Sequence, residues 1–238
     1  MSASPLFPRE LEREIFEICA LSQPVFIPKV MLVAQRVKEW IEPLLYRTIV
    51  LGFRVPGVPS LPYHIVSSVI CRKPKVFFHK AVRHLLVFTA LYPTREVDSM
   101  LSLCTGVEDI WLFNARKALI PLVRSLPLKR LYVGFESLPS PTLPMFSRLT
   151  HLHLRVDQKM NLICAFVEAL TALTHLSLTD SFSSDGTAFP MIHRILASSE
   201  SMQVLIVLGH TPSMWMDAVP PAAPTRYAIY AYALSWIW

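Results

Sequence analysis

The sequence is poor in glycine and in charge, and both shortages limit the chemistry it can perform. Glycine contributes 6 of 238 residues, about 2.5% against a usual ~7%. Phosphate-binding loops and dinucleotide-binding turns need closely spaced glycines, so we expect neither. Charged residues make up 17% of the chain and hydrophobic residues 53%. This balance excludes intrinsic disorder, because there is enough apolar surface to form a core.

Catalytic and metal-binding motifs are missing as well. The sequence contains no Gly-x-Ser-x-Gly elbow, no Walker loop and no His-Glu-x-x-His motif, which are the common signatures of hydrolases, nucleotide-binding proteins and metalloproteases. Its four cysteines, Cys19, Cys71, Cys104 and Cys164, are far apart and include no Cys-x-x-Cys pair. We therefore predict a protein that is not an enzyme, needs no cofactor, binds no metal and keeps its cysteines reduced in the core.

Long apolar runs are also absent. No segment approaches the ~18 to 20 uncharged residues that are needed to cross a bilayer, so we expect no membrane span. Charged residues from Arg9 to Glu14 occupy the place where a secretory signal needs its apolar stretch, and a cytoplasmic or nuclear location is expected. Residues 211–238 form a proline-containing and then aromatic tail, which would either fold back over the last strand or leave apolar surface exposed.

What the sequence does contain is a short phrase that occurs six times: an aliphatic residue, two variable positions, a second aliphatic, one variable position and a third aliphatic. The second aliphatics are Leu85, Ile110, Leu131, Leu152, Leu176 and Leu205, at intervals of 25, 21, 21, 24 and 29 residues. One short strand cannot bury its apolar side alone, whereas stacked parallel copies form a continuous core. Helix-compatible segments lie at residues 96–104, 115–125, 161–170 and 191–198. The pattern predicts an α/β fold with about six parallel strands and crossover helices.

The phrase and its spacing resemble the leucine-rich repeat over roughly residues 62–210. This resemblance implies a solenoid that binds other proteins on the concave face formed by its strands. The Asn that usually follows the motif is absent from every copy, which favours a short, irregular solenoid.

Alternate residues of each strand should project from one face and align across neighbouring strands. We call one alignment the polar row; it contains His84, Asp109, Arg130, His151, His175 and Val204. We call the other the aromatic row; it contains Leu86, Trp111, Tyr132, His153, Ser177 and Ile206. Trp, Tyr and Arg are enriched in the parts of interfaces that dominate binding. We therefore predict a target-binding face made of His84, Trp111, Arg130, Tyr132, His151, His153 and His175.

The first 50 residues differ from the repeats and read as three short helices. The first helix is marked by Leu11, Ile15 and Ile18, the second by Val30, Val33 and Val37, and the third restarts at Pro43. A β-like run follows from Thr48 to Leu51.

The sequence of this segment resembles the F-box motif at four places: Phe7-Pro8-Arg9-Glu10-Leu11, Ile15-Phe16, Met31-Leu32-Val33-Ala34 and Trp40. The resemblance implies that the helical head docks onto a Skp-type adaptor of a cullin-RING ubiquitin ligase. The contacts it implies are Phe7, Pro8, Leu11, Ile15, Leu32 and Val33. A head of this type followed by degenerate repeats is similar to large fungal families of F-box-like and leucine-rich-repeat proteins.

These observations predict three parts: an F-box-like helical head in residues 1–50, a leucine-rich-repeat-like solenoid in residues 51–210, and a tail in residues 211–238. The leading hypothesis is a substrate-recognition subunit of a ubiquitin ligase, monomeric within its complex, whose head binds the adaptor and whose repeats bind a protein target. One alternative is a repeat scaffold with no ubiquitin role, in which the head is only a cap. Another is an anion or nucleic-acid binder that uses the basic segment from Arg72 to Arg95, within the acid-free stretch between Glu42 and Glu96. No nucleic-acid module is recognised, so nucleic acid is an unlikely partner.

Overall fold

The protein has an α/β fold with parallel strand pairing, which confirms the predicted class. The computed structural model describes residues 7–51, 63–88, 94–115, 117–135, 137–156, 160–180, 188–199, 201–208 and 228–229. The chain divides into two compact units. The first unit comprises the described residues of 1–86 and 103–107, and the second those of 87–102 and 108–238.

The first unit begins with helices that enclose a small core of their own. Its helices are α1 (Arg9–Ser22), α2 (Ile27–Val30), α3 (Gln35–Leu45), α4 (Tyr63–Arg72) and α5 (Lys75–Ala81). Ala20, Ile27, Val37 and Ile41 are buried together among α1, α2 and α3. An ion pair between Arg36 and Glu12, 2.7 Å from Nη2 to Oε1, also joins α1 to α3.

The helix boundaries in this region correct the sequence-based prediction. Val30, Val33 and Val37 do not share a helix, because α2 ends at Val30 and α3 begins at Gln35. Val33 lies in the intervening turn and is exposed, whereas Val37 is fully buried. Pro43 does not restart a helix but lies inside α3. Proline near a helix end removes one hydrogen bond, and burial of Val37 and Ile41 on the same helix offsets that cost.

Two strand segments complete the first unit. Strand β1 (Thr48–Leu51) confirms the predicted β-like run and buries its last three residues. The first three residues of β2 (His84–Phe88) also belong to this unit. The amides of Arg83 and His84 both donate to the carbonyl of Arg47, at 2.9 and 3.0 Å.

The turn that contains Thr105 and Gly106 packs against α5 in the same unit. Arg83 Nη1 donates to the carbonyl oxygen of Gly106 at 2.8 Å, and His79 Nδ1 lies 2.9 Å from the Thr105 hydroxyl. A Cβ atom on Gly106 would lie 1.9 Å from the carbonyl oxygen of His79. Glycine is therefore required here by close approach of two backbone segments.

The second unit is built on strands that pair in parallel and in chain order. They are β3 (Asp109–Ala115), β4 (Arg130–Phe135), β5 (His151–Val156), β6 (His175–Asp180), β7 (Val204–Leu208) and the two-residue β8 (Ala228–Ile229). Each of β3 to β7 begins two residues after the first aliphatic of its phrase, so the predicted strand positions are confirmed. Apart from β8, the predicted tail lies outside the described residues.

The segments between these strands are less regular than predicted. Helices α6 (Thr94–Leu103), α8 (Met160–Glu168) and α9 (Ala188–Ser198) agree with three predicted helical segments. In the fourth, residues 115–125, the described part of the chain forms a 3₁₀ turn (Lys117–Leu119) and a single helical turn, α7 (Ile120–Val123). Between β4 and β5 the described chain forms one 3₁₀ turn, Pro144–Phe146.

The aliphatic residues of the repeated phrase form the core beneath the sheet. Ile110, Leu131, Leu152, Leu176 and Leu205 are paired in register on successive strands, and each is at most 3% exposed. Because these side chains stack directly over one another, every strand contributes to one continuous apolar layer. The register that the repeat predicts is therefore confirmed.

Shared carbonyl acceptors connect the starts of successive strands. Each carbonyl just before one strand accepts the amides of two consecutive residues at the start of the next strand. The acceptors are Glu108, Lys129, Thr150 and Thr174, and their donors are Lys129 with Arg130, Thr150 with His151, Thr174 with His175, and Gln203 with Val204. This arrangement satisfies backbone groups and aligns the strand starts.

The cysteines do not all lie in the core. Cys104 and Cys164 are buried, but Cys19 and Cys71 are exposed, so the prediction of four buried thiols is wrong for two of them. Cys19 lies on an exposed side of α1, and Cys71 lies near the end of α4. The prediction rests on the wide spacing of the cysteines, which does not distinguish a buried thiol from an exposed one. All four are free thiols.

No helix within the described residues is long enough and apolar enough to cross a membrane.

Candidate functional site

The two predicted rows of side chains lie on one face of the sheet in the second unit. In the polar row, Asp109, Arg130, His151, His175 and Val204 are register partners on consecutive strands. In the aromatic row, Trp111, Tyr132, His153, Ser177 and Ile206 are partners in the same way. The predicted alignment is confirmed for these strands.

His84, the first residue of the predicted polar row, belongs to the first unit. It is the first residue of β2, it is half-buried, and its amide donates to the carbonyl of Arg47.

The aromatic row forms a continuous stack of three rings. The ring centroids of Trp111 and Tyr132 are 4.6 Å apart with an angle of 12° between planes. The Tyr132 and His153 rings follow at 3.9 Å and 10°. Stacking on neighbouring strands occupies the ring faces between successive members and orients the ring edges away from the sheet. The side chains are therefore fixed before any partner binds.

His153 ends this stack in a position set by two hydroxyl groups. Its Nδ1 lies 3.0 Å from Ser177 Oγ, and its Nε2 lies 3.0 Å from Thr179 Oγ1. Burial lowers the pKa of His153 from 6.5 to about 4, so the ring is neutral at physiological pH. A neutral ring can donate from one nitrogen and accept at the other, and hydroxyl groups suit both roles.

The polar row contains an ion pair between adjacent strands. Arg130 Nε donates to Asp109 Oδ1 at 2.8 Å, and Nη2 donates to Oδ2. The Asp109 side chain is 9% exposed and that of Arg130 is 57% exposed. The buried carboxylate holds one edge of the guanidinium, while the opposite edge is directed away from it.

Two further members of the polar row, His151 and His175, stack on each other. Their centroids are 4.1 Å apart and their planes differ by 9°. His151 Nδ1 lies 2.8 Å from Thr150 Oγ1, whose hydroxyl donates to the carbonyl of Lys129 at 3.1 Å. Because that hydroxyl has only one proton, it accepts from His151 Nδ1–H, and Nε2 carries the lone pair.

The same arrangement recurs one repeat later. His175 Nδ1 lies 2.8 Å from Thr174 Oγ1, and this hydroxyl donates to the carbonyl of Thr150 at 3.0 Å. Both imidazoles therefore share one tautomer and one orientation. Burial is the largest cause that lowers the pKa of His151, followed by electrostatic interaction with His175 and with Arg130. Asp109 raises this pKa, and its effect is the smallest of the four.

Sequence reasoning did not identify the threonines that orient these rings. Thr150 and Thr174 precede the histidines in two copies of the phrase, Leu149-Thr150-His151 and Leu173-Thr174-His175. The repeated Thr-His pair was the available signal. Among the described residues, no three His, Cys, Asp or Glu side chains form a group able to hold a metal ion.

A second candidate surface lies on the helical head of the first unit. The predicted adaptor contacts Phe7, Leu11, Ile15, Leu32 and Val33 are 53%, 42%, 41%, 84% and 65% exposed. Pro8 is also exposed and immediately precedes α1, where its carbonyl accepts the amide of Glu12 at 3.0 Å. We call these six residues the head patch.

Helix α1 is apolar on two sides. Phe16 and Ala20 pack into the small core, whereas Leu11, Ile15 and Ile18 lie roughly opposite them at 100° per residue. Ile18 and Leu21 add to the exposed apolar surface at 57% and 50%. The core uses only one side of this helix, and large apolar side chains on the other side remain exposed to solvent.

No protein-family model matches this chain, and no curated protein is significantly similar to it. The F-box and leucine-rich-repeat resemblances therefore rest on the residues quoted above.

Proposed function

We propose that this protein is a non-catalytic interaction subunit of a cullin-RING ubiquitin ligase, with an F-box-like head and a repeat-built recognition face of the leucine-rich-repeat type. In this proposal the head patch binds a Skp-type adaptor, and the rows of the second unit bind a protein target. The role requires two separate binding surfaces and no chemistry within the chain.

The exposure of the head patch carries the proposal. Each of its apolar members is more than 40% exposed, although apolar side chains of this size are normally buried. These residues are the ones that the F-box resemblance implies as adaptor contacts, and their exposure is an observation separate from that resemblance. Leu11, Ile15 and Ile18 share one exposed side of α1, and an exposed apolar strip of this kind indicates a protein-binding surface.

The cap alternative is less well supported by the packing of α1. A helix that serves only to shield a repeat array buries its apolar side chains against that array. In α1 the only fully buried residue is Ala20, while Leu11, Ile15, Ile18 and Leu21 are exposed. A partner outside the chain accounts better for this second apolar side.

The basic-segment alternative receives less support, because some of its cations already serve the fold. Lys73 forms an ion pair with Glu42 at 2.8 Å and lies 5.1 Å above the Phe77 ring. Arg83 donates to the carbonyl of Gly106. Such contacts reduce the charge that the segment offers to a phosphate backbone.

The test is capture of a purified Skp-type adaptor by the full chain, compared with the double variant Leu11→Asp/Ile15→Asp. Because both side chains are partly exposed, the variant should fold, and placing two carboxylates in an apolar interface should weaken binding by at least about tenfold. Leu162→Asp is the matched control, since Leu162 is 54% exposed on α8 in the second unit.

Thermal melting of all three proteins establishes that they are folded. We expect the wild type and Leu162→Asp to capture the adaptor equally and the double variant to fail. Absence of capture by folded wild-type protein, or equal capture by the double variant, would contradict the ubiquitin-ligase role.

A further inference from the structure

The face that carries the two rows has a definite chemical character. One exposed cation of this face, Arg130, is held by a carboxylate that is itself buried. A guanidinium fixed along one edge presents the other edge in a defined direction, which suits a second planar or tetrahedral anion. The side chain is therefore oriented before a partner arrives, and less entropy is lost on binding.

At His151 the charge of Arg130 outweighs that of Asp109. The Arg130 guanidinium lowers the pKa of this histidine more than the Asp109 carboxylate raises it. A group whose protonation is disfavoured by neighbouring cations lies where an anion is favoured. Asp109 thus orients Arg130 without reversing the sign of the local field.

The middle ring of the stack beside this cation, Tyr132, offers its edges and not its faces. Tyr132 has Trp111 on one side and His153 on the other, at 4.6 and 3.9 Å between centroids. Nucleic-acid bases bind to open ring faces, and the faces within this stack are already occupied. Ring edges carry partial positive charge, so they favour carbonyl oxygens, anions and the faces of other aromatic rings.

We propose that this face, made by Arg130, His151, His175 and the stack Trp111, Tyr132 and His153, binds an acidic, aromatic-containing extended segment of a protein target. Carboxylates or phosphates of the segment bind Arg130 and its neighbours, and its aromatic rings pack on the ring edges. This inference specifies the target class of the proposed function and rests on that function for its biological setting. The binding itself requires no adaptor.

The test measures binding of labelled probes of equal length to the full chain at low salt by fluorescence anisotropy. One peptide alternates Glu with Tyr, a second alternates phosphoserine with Tyr, and a third alternates Lys with Tyr. Single-stranded oligothymidine is the nucleic-acid probe. We expect the two acidic peptides to bind, the basic peptide to fail, and oligothymidine to bind more weakly than either acidic peptide. The stronger of the acidic peptides identifies carboxylate or phosphate as the preferred group.

A charge-neutral double substitution locates the binding. Asp109→Asn/Arg130→Gln removes one carboxylate and one guanidinium, so the net charge of the protein is unchanged. Loss of charge-assisted hydrogen bonds should lower the affinity for the acidic peptides about tenfold. The matched control is Glu168→Gln/Arg194→Gln, because Arg194 forms a similar pair with Glu168 at 2.7 Å and is 53% exposed; its affinity should remain within about twofold of wild type.

If the first double variant does not fold, Arg130→Lys replaces it. Lysine keeps the charge but loses the planar fork, so the affinity should still fall. Failure of both acidic peptides to bind, equal losses in the two double variants, or tighter binding of oligothymidine would overturn the proposal. Adaptor capture is scored separately: a protein that captures the adaptor but rejects acidic peptides disproves only this target class, and the converse disproves only the ligase role.

Discussion

Arg130 and Asp109 form an ion pair in which the two partners differ greatly in exposure, the guanidinium being 57% and the carboxylate 9% exposed. The shorter side chain, that of Asp109, is thus buried in the face of the sheet, and the longer side chain of Arg130 extends from that face into solvent. The two lie in register on β4 and β3. Their contribution to stability is therefore expected to be asymmetric.

Removing Arg130 should destabilise the protein more than removing the charge of Asp109. Arg130→Gln takes the guanidinium away from a buried carboxylate and should lower the free energy of unfolding by ~2 kcal/mol, whereas Asp109→Asn leaves an exposed cation and should cost ~1 kcal/mol. Urea unfolding of both single variants and the double variant measures the coupling. Equal costs for the two single substitutions would show that burial of Asp109 has no energetic consequence.

The free energy of unfolding should decrease as the pH is lowered through a window set by His153. Its folded pKa is lowered by burial to about 4 from 6.5, so between these values the unfolded chain binds a proton that the folded protein does not. The free energy of unfolding therefore decreases as pH falls through this window, by an amount of the order of 2 kcal/mol.

The check on this pH dependence is a comparison of wild type with His153→Gln at pH 7 and pH 5. Glutamine can donate to and accept from the Ser177 and Thr179 hydroxyls but does not titrate. We expect the variant to lose less stability than the wild type between the two pH values. An identical loss would mean that His153 is not the group responsible.

The two glycines Gly106 and Gly134 should respond oppositely to alanine. A Cβ on Gly106 would lie 1.9 Å from the backbone oxygen of His79, so Gly106→Ala forces backbone movement and should cost at least ~2 kcal/mol. A Cβ on Gly134 meets Arg155 Cβ at 3.5 Å, an ordinary contact. Gly134→Ala should be neutral or stabilising by up to ~1 kcal/mol, because alanine loses less entropy on folding. Similar melting temperatures for the two variants would contradict the close approach at Gly106.

Thiol reactivity should divide the four cysteines into two pairs. Cys19 and Cys71 are exposed and should react with a thiol reagent in the native protein. Cys104 and Cys164 are buried, and burial raises the pKa of Cys104 to about 12, so these two should react only after unfolding. Mass spectrometry of native and urea-treated samples identifies the modified residues. Fast native modification of Cys104 would show that its buried surroundings open readily in the folded protein.

Much of the second unit could be predicted because its information is local and repeated. Aliphatic residues two positions apart define one face of a strand, and the recurrence of that pattern in residues such as Leu131 and Leu152 sets the register between strands. A slip by one residue would turn every aliphatic side chain into solvent. The alignment of Arg130 with His151 follows from the same constraint.

The candidate sites could be predicted only in part. The alignment places Trp111, Tyr132 and His153 on one face, but the parallel stacking of their rings depends on side-chain rotamers that packing selects. The hydroxyls of Ser177 and Thr179 orient His153 from the neighbouring strand, and such contacts have no periodic signature in the sequence. For His151 and His175, the repeated Thr-His pair was the one local signal.

The sequence by itself determined the α/β class, the strand positions and the side chains that share a face, because alternation along a strand and spacing between repeats are properties of the chain. Only the tertiary structure decided where α3 begins and ends around Pro43, which cysteines are buried, and that Asp109 is buried while its partner Arg130 is exposed. These outcomes depend on contacts between residues far apart in the chain. Packing energy between such residues can exceed a local preference, as the burial of Val37 and Ile41 does for a helix that contains proline.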